Sequence, residues 1–162
     1  MESMDYLSRI FQEISDHALE DFKVEEQNKE YEGTTFVLGK QTFRSRKAKV
    51  TPKKLGYFVV FWEKDDENKN KPYDFDSAPD KLIITIIDQE KLGQFIFPKE
   101  ILAEKKILNN GKNQGKMAMR VYPNLVTGLN KTAVVTQKWQ SSYFIDLTKK
   151  PDLDRLKKLY FD

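Results

Sequence analysis

Thr34-Thr35-Phe36-Val37-Leu38-Gly39-Lys40-Gln41-Thr42-Phe43-Arg44-Ser45-Arg46-Lys47-Ala48-Lys49-Val50 reads as two strands, Thr34–Leu38 and Gln41–Val50, joined at Gly39-Lys40. β-branched and aromatic residues suit a pleated, half-buried surface, and glycine supplies the positive φ of a tight hairpin turn. Alternation places Arg44, Arg46 and Ala48 on one face of the second strand, with Phe43, Ser45, Lys47 and Lys49 on the other. Thr51-Pro52 ends that strand, because proline lacks the ladder donor, and Gly56 closes the next turn. Tyr57–Trp62 is apolar throughout and suits a central strand.

Outward from this hairpin the pattern stays mixed. Leu7, Ile10, Phe11, Ile14 and Ala18 recur at helical spacing, so Met4–Leu19 reads as an amphipathic helix with Ser3 as its N-cap. Glu63–Lys81 is polar and reads as a long exposed loop. Leu82–Ile87 and Gln94–Phe97 are buried-strand runs, and Pro98 suits the first position of a helix reaching about Ile107. Asn109–Gly115 is a turn cluster. Lys116–Tyr122 alternates as a strand, Asn130 caps a helix from Lys131 to Tyr143, Phe144–Leu147 is a last strand, and Pro151–Tyr160 a last helix. The expected fold is α+β: a single domain with a twisted, mostly antiparallel sheet flanked by helices.

Composition narrows the chemistry. The 162 residues include no cysteine, which removes disulfides, thiolate metal sites and cysteine nucleophiles. His17 is the lone histidine, so multi-histidine metal sites are excluded, and its place near a helix end suits a surface or capping role. No apolar run approaches the roughly 20 residues that cross a bilayer, and Met1–Ile10 has no apolar signal core. The expected address is therefore the cytoplasm, with no membrane partner. Neither GxGxxG nor GxxxxGK[ST] occurs, and Asn110–Lys116, though glycine-containing, precedes a strand rather than a helix.

The net charge of +3 hides four blocks. Residues 1–34 hold 10 acids and 3 bases, and residues 35–62 hold 7 bases and no acid. Residues 63–91 hold 9 acids and 5 bases, and residues 92–162 hold 6 acids and 13 bases. Lysine-rich strand edges also serve to discourage sheet-to-sheet pairing. A block as purely basic as 35–62 is equally an attractor of polyanions, because neutralised phosphates release condensed counterions.

Two enzyme-like patterns compete with that reading. Pro79-Asp80 before a strand, with Asp88, Glu90 and Lys91 after it, approaches the PD…(D/E)xK arrangement in which carboxylates hold a divalent cation. The strict triplet fails there, and Glu104-Lys105-Lys106, which fits it, falls near a predicted helix end. No carboxylate pair for glycoside chemistry stands out. A non-catalytic protein-interaction module, masked by its own acidic blocks, is the remaining alternative.

Four motifs point to a family. Arg46-x-Ala48-Lys49-x-Thr51-Pro52-x-Lys54-x-Gly56-x-Phe58-Val59 with Trp62 is the first, and Gly93–Lys99 the second. Arg120-Val121-Tyr122-Pro123 and Thr136-Gln137-x-Trp139-Gln140 with Tyr143-Phe144 follow in order. From about Tyr31 to Phe144 the chain resembles the MepB-like family. That resemblance implies a small cytoplasmic α/β protein with a nucleic-acid-binding suggestion and a likeness to nuclease-type folds, and it assigns no activity. Packing explains Phe58, Val59 and Trp62. It does not demand the polar residues, so Arg44, Arg46, Lys49, Lys54, Lys99, Arg120, Gln137 and Gln140 are the expected nucleic-acid contacts on one basic face. Trp139, Lys116 and Tyr122 are neighbouring candidates for stacking and phosphate binding. The reading requires no cofactor or metal, takes DNA or RNA as partner, and expects a monomer.

Overall fold

The computed structural model describes residues 1–162. The chain opens with helix α1 (Glu2–Ile14) and strand β1 (Leu19–Val24), followed by the hairpin of β2 (Thr34–Leu38) and β3 (Gln41–Lys47). Short strands come next: β4 (Lys49–Val50), β5 (Tyr57–Val60), β6 (Glu63–Lys64) and β7 (Asn70–Lys71). The second half holds β8 (Lys81–Asp88), β9 (Lys91–Pro98), α2 (Lys99–Glu104), β10 (Ala118–Val121), α3 (Lys131–Gln140), β11 (Phe144–Asp146) and α4 (Leu153–Phe161). The fold is α+β, as expected.

Six strands form the main sheet in the order β1-β2-β3-β8-β9-β11, and only the β3–β8 neighbours run parallel. β8 is buried on both faces, which is why Leu82–Ile86 carries apolar residues with only Thr85 between them. On one face, Leu7 and Phe11 of α1 and Leu156 and Tyr160 of α4 pack on Phe43, Ile83 and Ile96. On the other face, Leu82, Ile84, Phe95 and Phe97 meet Tyr57, Val59 and Val121 of a smaller three-stranded sheet ordered β10-β5-β4. Three buried polar side chains are joined in series: the Tyr160 hydroxyl donates to Gln94 Oε1 at 2.6 Å, and Gln94 Nε2 donates to Thr85 Oγ1 at 3.1 Å.

Several expectations shift by local chemistry. The first helix ends at Ile14, where Ser15 turns extended, and Leu19, the expected last helical residue, instead opens the edge strand β1. Ser3 lies inside α1, where its hydroxyl and N–H donate to Glu32 Oε1 at 2.7 and 2.9 Å, so it anchors the helix sideways rather than capping it. The expected strand Gln41–Val50 divides at Ala48, whose N–H donates to Thr85, and its end crosses to the smaller sheet. Pro98 stands before α2 rather than within it, and that helix stops at Glu104. Asn130 does cap α3, accepting the Ala133 N–H at 2.9 Å, but the helix closes at Gln140 and a 3₁₀ turn carries on to Tyr143. The polar stretch 63–81 contains the small β6–β7 hairpin.

Gly93 sits where β9 passes β11. A Cβ there would stand 2.7 Å from two ring carbons of Phe144 and 3.3 Å from the Ile145 carbonyl. The expected outcome for Gly93→Ala is a loss of about 1–3 kcal/mol from overpacking, read as a lowered urea midpoint with an unchanged slope.

Candidate nucleic-acid interface

The basic block 35–62 does not face solvent as a unit. Arg46 is fully buried, and its guanidinium grips Glu25 with two parallel bonds, Nη1 to Oε1 at 2.8 Å and Nη2 to Oε2 at 3.0 Å. Its other donors reach the Val60 carbonyl at 3.1 Å, the Ser45 carbonyl at 3.0 Å and the Tyr73 hydroxyl at 3.2 Å. Arg44 donates from Nε to Glu25 at 3.1 Å and stacks 3.6 Å above the Tyr73 ring. Tyr73 in turn donates to Glu25 Oε2 at 2.6 Å. Burial alone would raise the Glu25 carboxyl. The Arg46 bonds and charge, the Arg44 charge and the Tyr73 hydroxyl outweigh it and hold the group below its ordinary value of 4.5.

The next two lysines are also paired within the molecule. Lys47 Nζ lies 2.6 Å from Glu2 and 3.8 Å from Glu32, and Lys49 lies 2.9 Å from Glu30. Four of the seven bases thus meet acids of the 1–34 block, leaving Lys40, Lys53 and Lys54 exposed and without ion pairs. Lys49 and Arg120 flank Phe58 in register across the smaller sheet, with the Arg120 guanidinium 5.8 Å from the Phe58 ring centroid.

Free positive charge gathers elsewhere. Residues 33–62 and 105–145 contain no acid. They supply every strand of the smaller sheet, together with α3. Between β10, α3 and the end of α2 runs an open groove of about 240 Å³ lined by Lys105, Lys116, Arg120, Tyr122, Trp139 and Gln140, among others, and by no carboxylate. Lys105 and Lys116 are exposed and form no ion pair. Lys105 Nζ stands 5.7 Å from the Trp139 ring centroid. Arg120 binds Thr51 Oγ1 at 3.0 and 2.9 Å and the Leu55 carbonyl at 3.2 Å, which ties the Lys53-Lys54 turn to the groove and leaves Nε and one further N–H for a ligand.

The two glutamines serve the fold. Gln137 donates to the Pro123 and Val126 carbonyls, both at 2.9 Å, and Gln140 is buried with its carboxamide on the backbone of β10. Lys99 stands 4.6 Å from the Phe75 ring and shares with Arg44 a separate, narrow apolar cavity of about 20 Å³. Of the eight expected contacts, Arg120 and Gln140 line the groove and Lys54 rides on the tethered turn. The other five do not line it: the Glu25 carboxylate draws Arg44 and Arg46 inward, Lys49 pairs with Glu30, Lys99 lies in the other cavity, and Gln137 is spent on the Pro123 and Val126 carbonyls. The carboxylates of the nuclease pattern do not converge either. Asp80 accepts the Thr42 N–H and hydroxyl at 2.9 and 3.0 Å, while Asp88 accepts the Tyr57 hydroxyl at 2.7 Å at the far end of β8, roughly 25 Å along the strand. No group of three or more His, Asp or Glu side chains is arranged to hold a metal ion.

A family model described as MepB-like matches residues 25–146. The chain belongs to the MepB-like family. It is 47% identical to the chain in a crystal structure of MepB, covering 93% of this chain and 99% of that one at a TM-score of 0.81. A bacterial homing endonuclease aligns at 11% identity over 84% of each chain with a TM-score of 0.46, a likeness too slight to carry an argument. No curated protein matches.

The MepB-like match begins at Glu25, ahead of the motifs, and that residue explains the first of them. Arg46 with Glu25, and Arg120 with Thr51 and the Leu55 carbonyl, are two internal ties that its polar positions build. Gly56 has φ +80°, and a Cβ there would stand 2.5 Å from the Tyr122 ring. Lys116 is one of the neighbouring candidates beside the eight expected contacts, whereas Lys105 is in neither group. The alternation Lys116-x-Ala118-x-Arg120-x-Tyr122 already carried the signal for Lys116, whereas Lys105 reaches the groove only through the fold.

Arg46→Met is expected to cost about 3–5 kcal/mol by stranding the Glu25 charge, and a second change, Glu25→Leu, to recover much of it. Because folding lowers the Glu25 pKa, its contribution is complete above 4.5 and drains as pH falls through the lowered value. Urea midpoints measured from about pH 6 down to about pH 3 should therefore fall less steeply in Glu25→Gln than in the parent.

Proposed function

We propose that the protein binds nucleic acid through the acid-free lobe, with the groove beside β10 as the centre of contact. The observation that carries this reading is the groove's lining: three cations, two aromatic residues and no carboxylate. Lysine and arginine neutralise phosphates, and tyrosine and tryptophan offer faces on which bases stack. The acidic N-terminal block supports it indirectly, since Glu2, Glu25, Glu30 and Glu32 are held in ion pairs by the 35–62 block and no acid lines the groove.

Affinity is expected to fall steeply with salt, with a log–log slope of about −2 to −4 for three or four neutralised phosphates. Lys105→Ala with Lys116→Ala should weaken binding about tenfold or more and flatten the slope by about two units. Lys158→Ala, on the helix layer behind the main sheet, should change neither. Fluorescence anisotropy with a labelled oligonucleotide across a salt series measures all three. Affinity that ignores salt would overturn the proposal. Nucleic acid that copurifies and leaves in a high-salt wash, seen in the 260/280 nm absorbance ratio, would support it.

A further inference from the structure

Charge does not account for the floor of the groove. β10 is an edge strand whose one partner is β5. Met119 and Val121 turn their backbone groups toward β5, in the same series as the Phe61 N–H that donates to Met117 at 2.9 Å. Alternation therefore turns the backbone of Ala118, Arg120 and Tyr122 outward, toward α3.

Part of that outward edge is already filled. Gln140 Nε2 donates to the Arg120 carbonyl at 3.0 Å, and its Oε1 accepts the Tyr122 N–H at 2.9 Å. A planar group with a donor beside an acceptor thus completes the edge. One step back, the Ala118 carbonyl and the Arg120 N–H form the equivalent pair, and no backbone or side-chain group of the protein bonds either. Beyond it the Lys116 N–H is taken by the Ile107 carbonyl at 2.8 Å. The open gap is short: it runs from the Ala118 N–H, also without a partner, through the Ala118 carbonyl to the Arg120 N–H, where the Gln140 carboxamide takes over, and it belongs to the groove that Trp139 also lines.

We infer that this gap takes the Watson–Crick edge of one unpaired nucleobase, hydrogen-bonded to the Ala118 carbonyl and the Arg120 N–H, beside the Trp139 ring. The inference rests on the nucleic-acid reading above and adds what the groove recognises. Each nucleobase presents a donor next to an acceptor, the pattern that the Gln140 carboxamide satisfies one step along, and single-stranded bases are commonly read on that edge while stacked on an aromatic side chain. Lys105, Lys116 and Arg120 are placed for the adjoining phosphates. An extended peptide is a poorer fit, because strand addition needs a run of free backbone groups and this gap admits about one residue.

Hexathymidylate and its N3-methylthymidine counterpart separate the possibilities. The methyl group removes the ring donor while charge, backbone and stacking area remain. The methylated hexamer should bind about tenfold more weakly, as expected for a lost bidentate contact. In ¹⁵N spectra of the full chain, the Arg120 amide should move downfield with the parent hexamer and stay in place with the methylated one. Equal affinity and equal amide shifts would overturn the base-edge assignment while charge-driven binding stands. Absence of salt-dependent binding by both hexamers would overturn both readings. A hexaglutamate peptide that moves the Arg120 amide as the parent hexamer does would overturn the assignment in favour of peptide pairing.

Discussion

The structure turns on one buried ion pair. Arg46 has no exposed surface, and its guanidinium reaches Glu25 after β1, the Val60 carbonyl at the end of β5, and Tyr73 in the loop before β8. A single side chain of the main sheet therefore joins the edge strand, the smaller sheet and the long loop. Gly33 makes room for it: a Cβ there would stand 2.9 Å from Nη1. A buried guanidinium without its carboxylate would be costly, so the placement of Glu25 is as much a condition of the fold as the packing of Ile83 or Phe97.

This pairing sorts the charge of the whole chain. Acids of the first 34 residues are drawn to bases of the β2–β3 hairpin and the strand beyond it. The second acid-free segment, 105–145, has no such partner and retains its positive field. Two blocks that look alike in a charge count thus have different fates, one as an internal brace and the other as open surface.

That difference marks what could be read in advance. The β2–β3 hairpin, β8, β9, α3 with its Asn130 cap and α4 were legible, because alternation, proline, glycine and capping residues act locally. The face shared by Arg44, Arg46 and Ala48 was legible too, but its side of the molecule was not. Nothing within a strand says that a distant carboxylate will bury an arginine. β1 escaped because an edge strand with one half-buried residue has no apolar alternation to show. Gln137 and Gln140 looked like ligand readers for a related reason: a glutamine that completes a strand edge has the same local sequence as one that waits for a base.

Arg120 gives the groove a further property. Its side chain holds Thr51 and Leu55 while its backbone forms part of the groove floor, so residues nearly 70 positions apart share one fastening. The 51–56 turn has few other attachments: Thr51 Oγ1 closes it on Lys54 at 3.0 Å, and Gly56 lies under Tyr122. The turn and the groove are mechanically one part. A ligand phosphate competing for the guanidinium would loosen the turn that carries Lys53 and Lys54, freeing two more cations to swing toward the same anion.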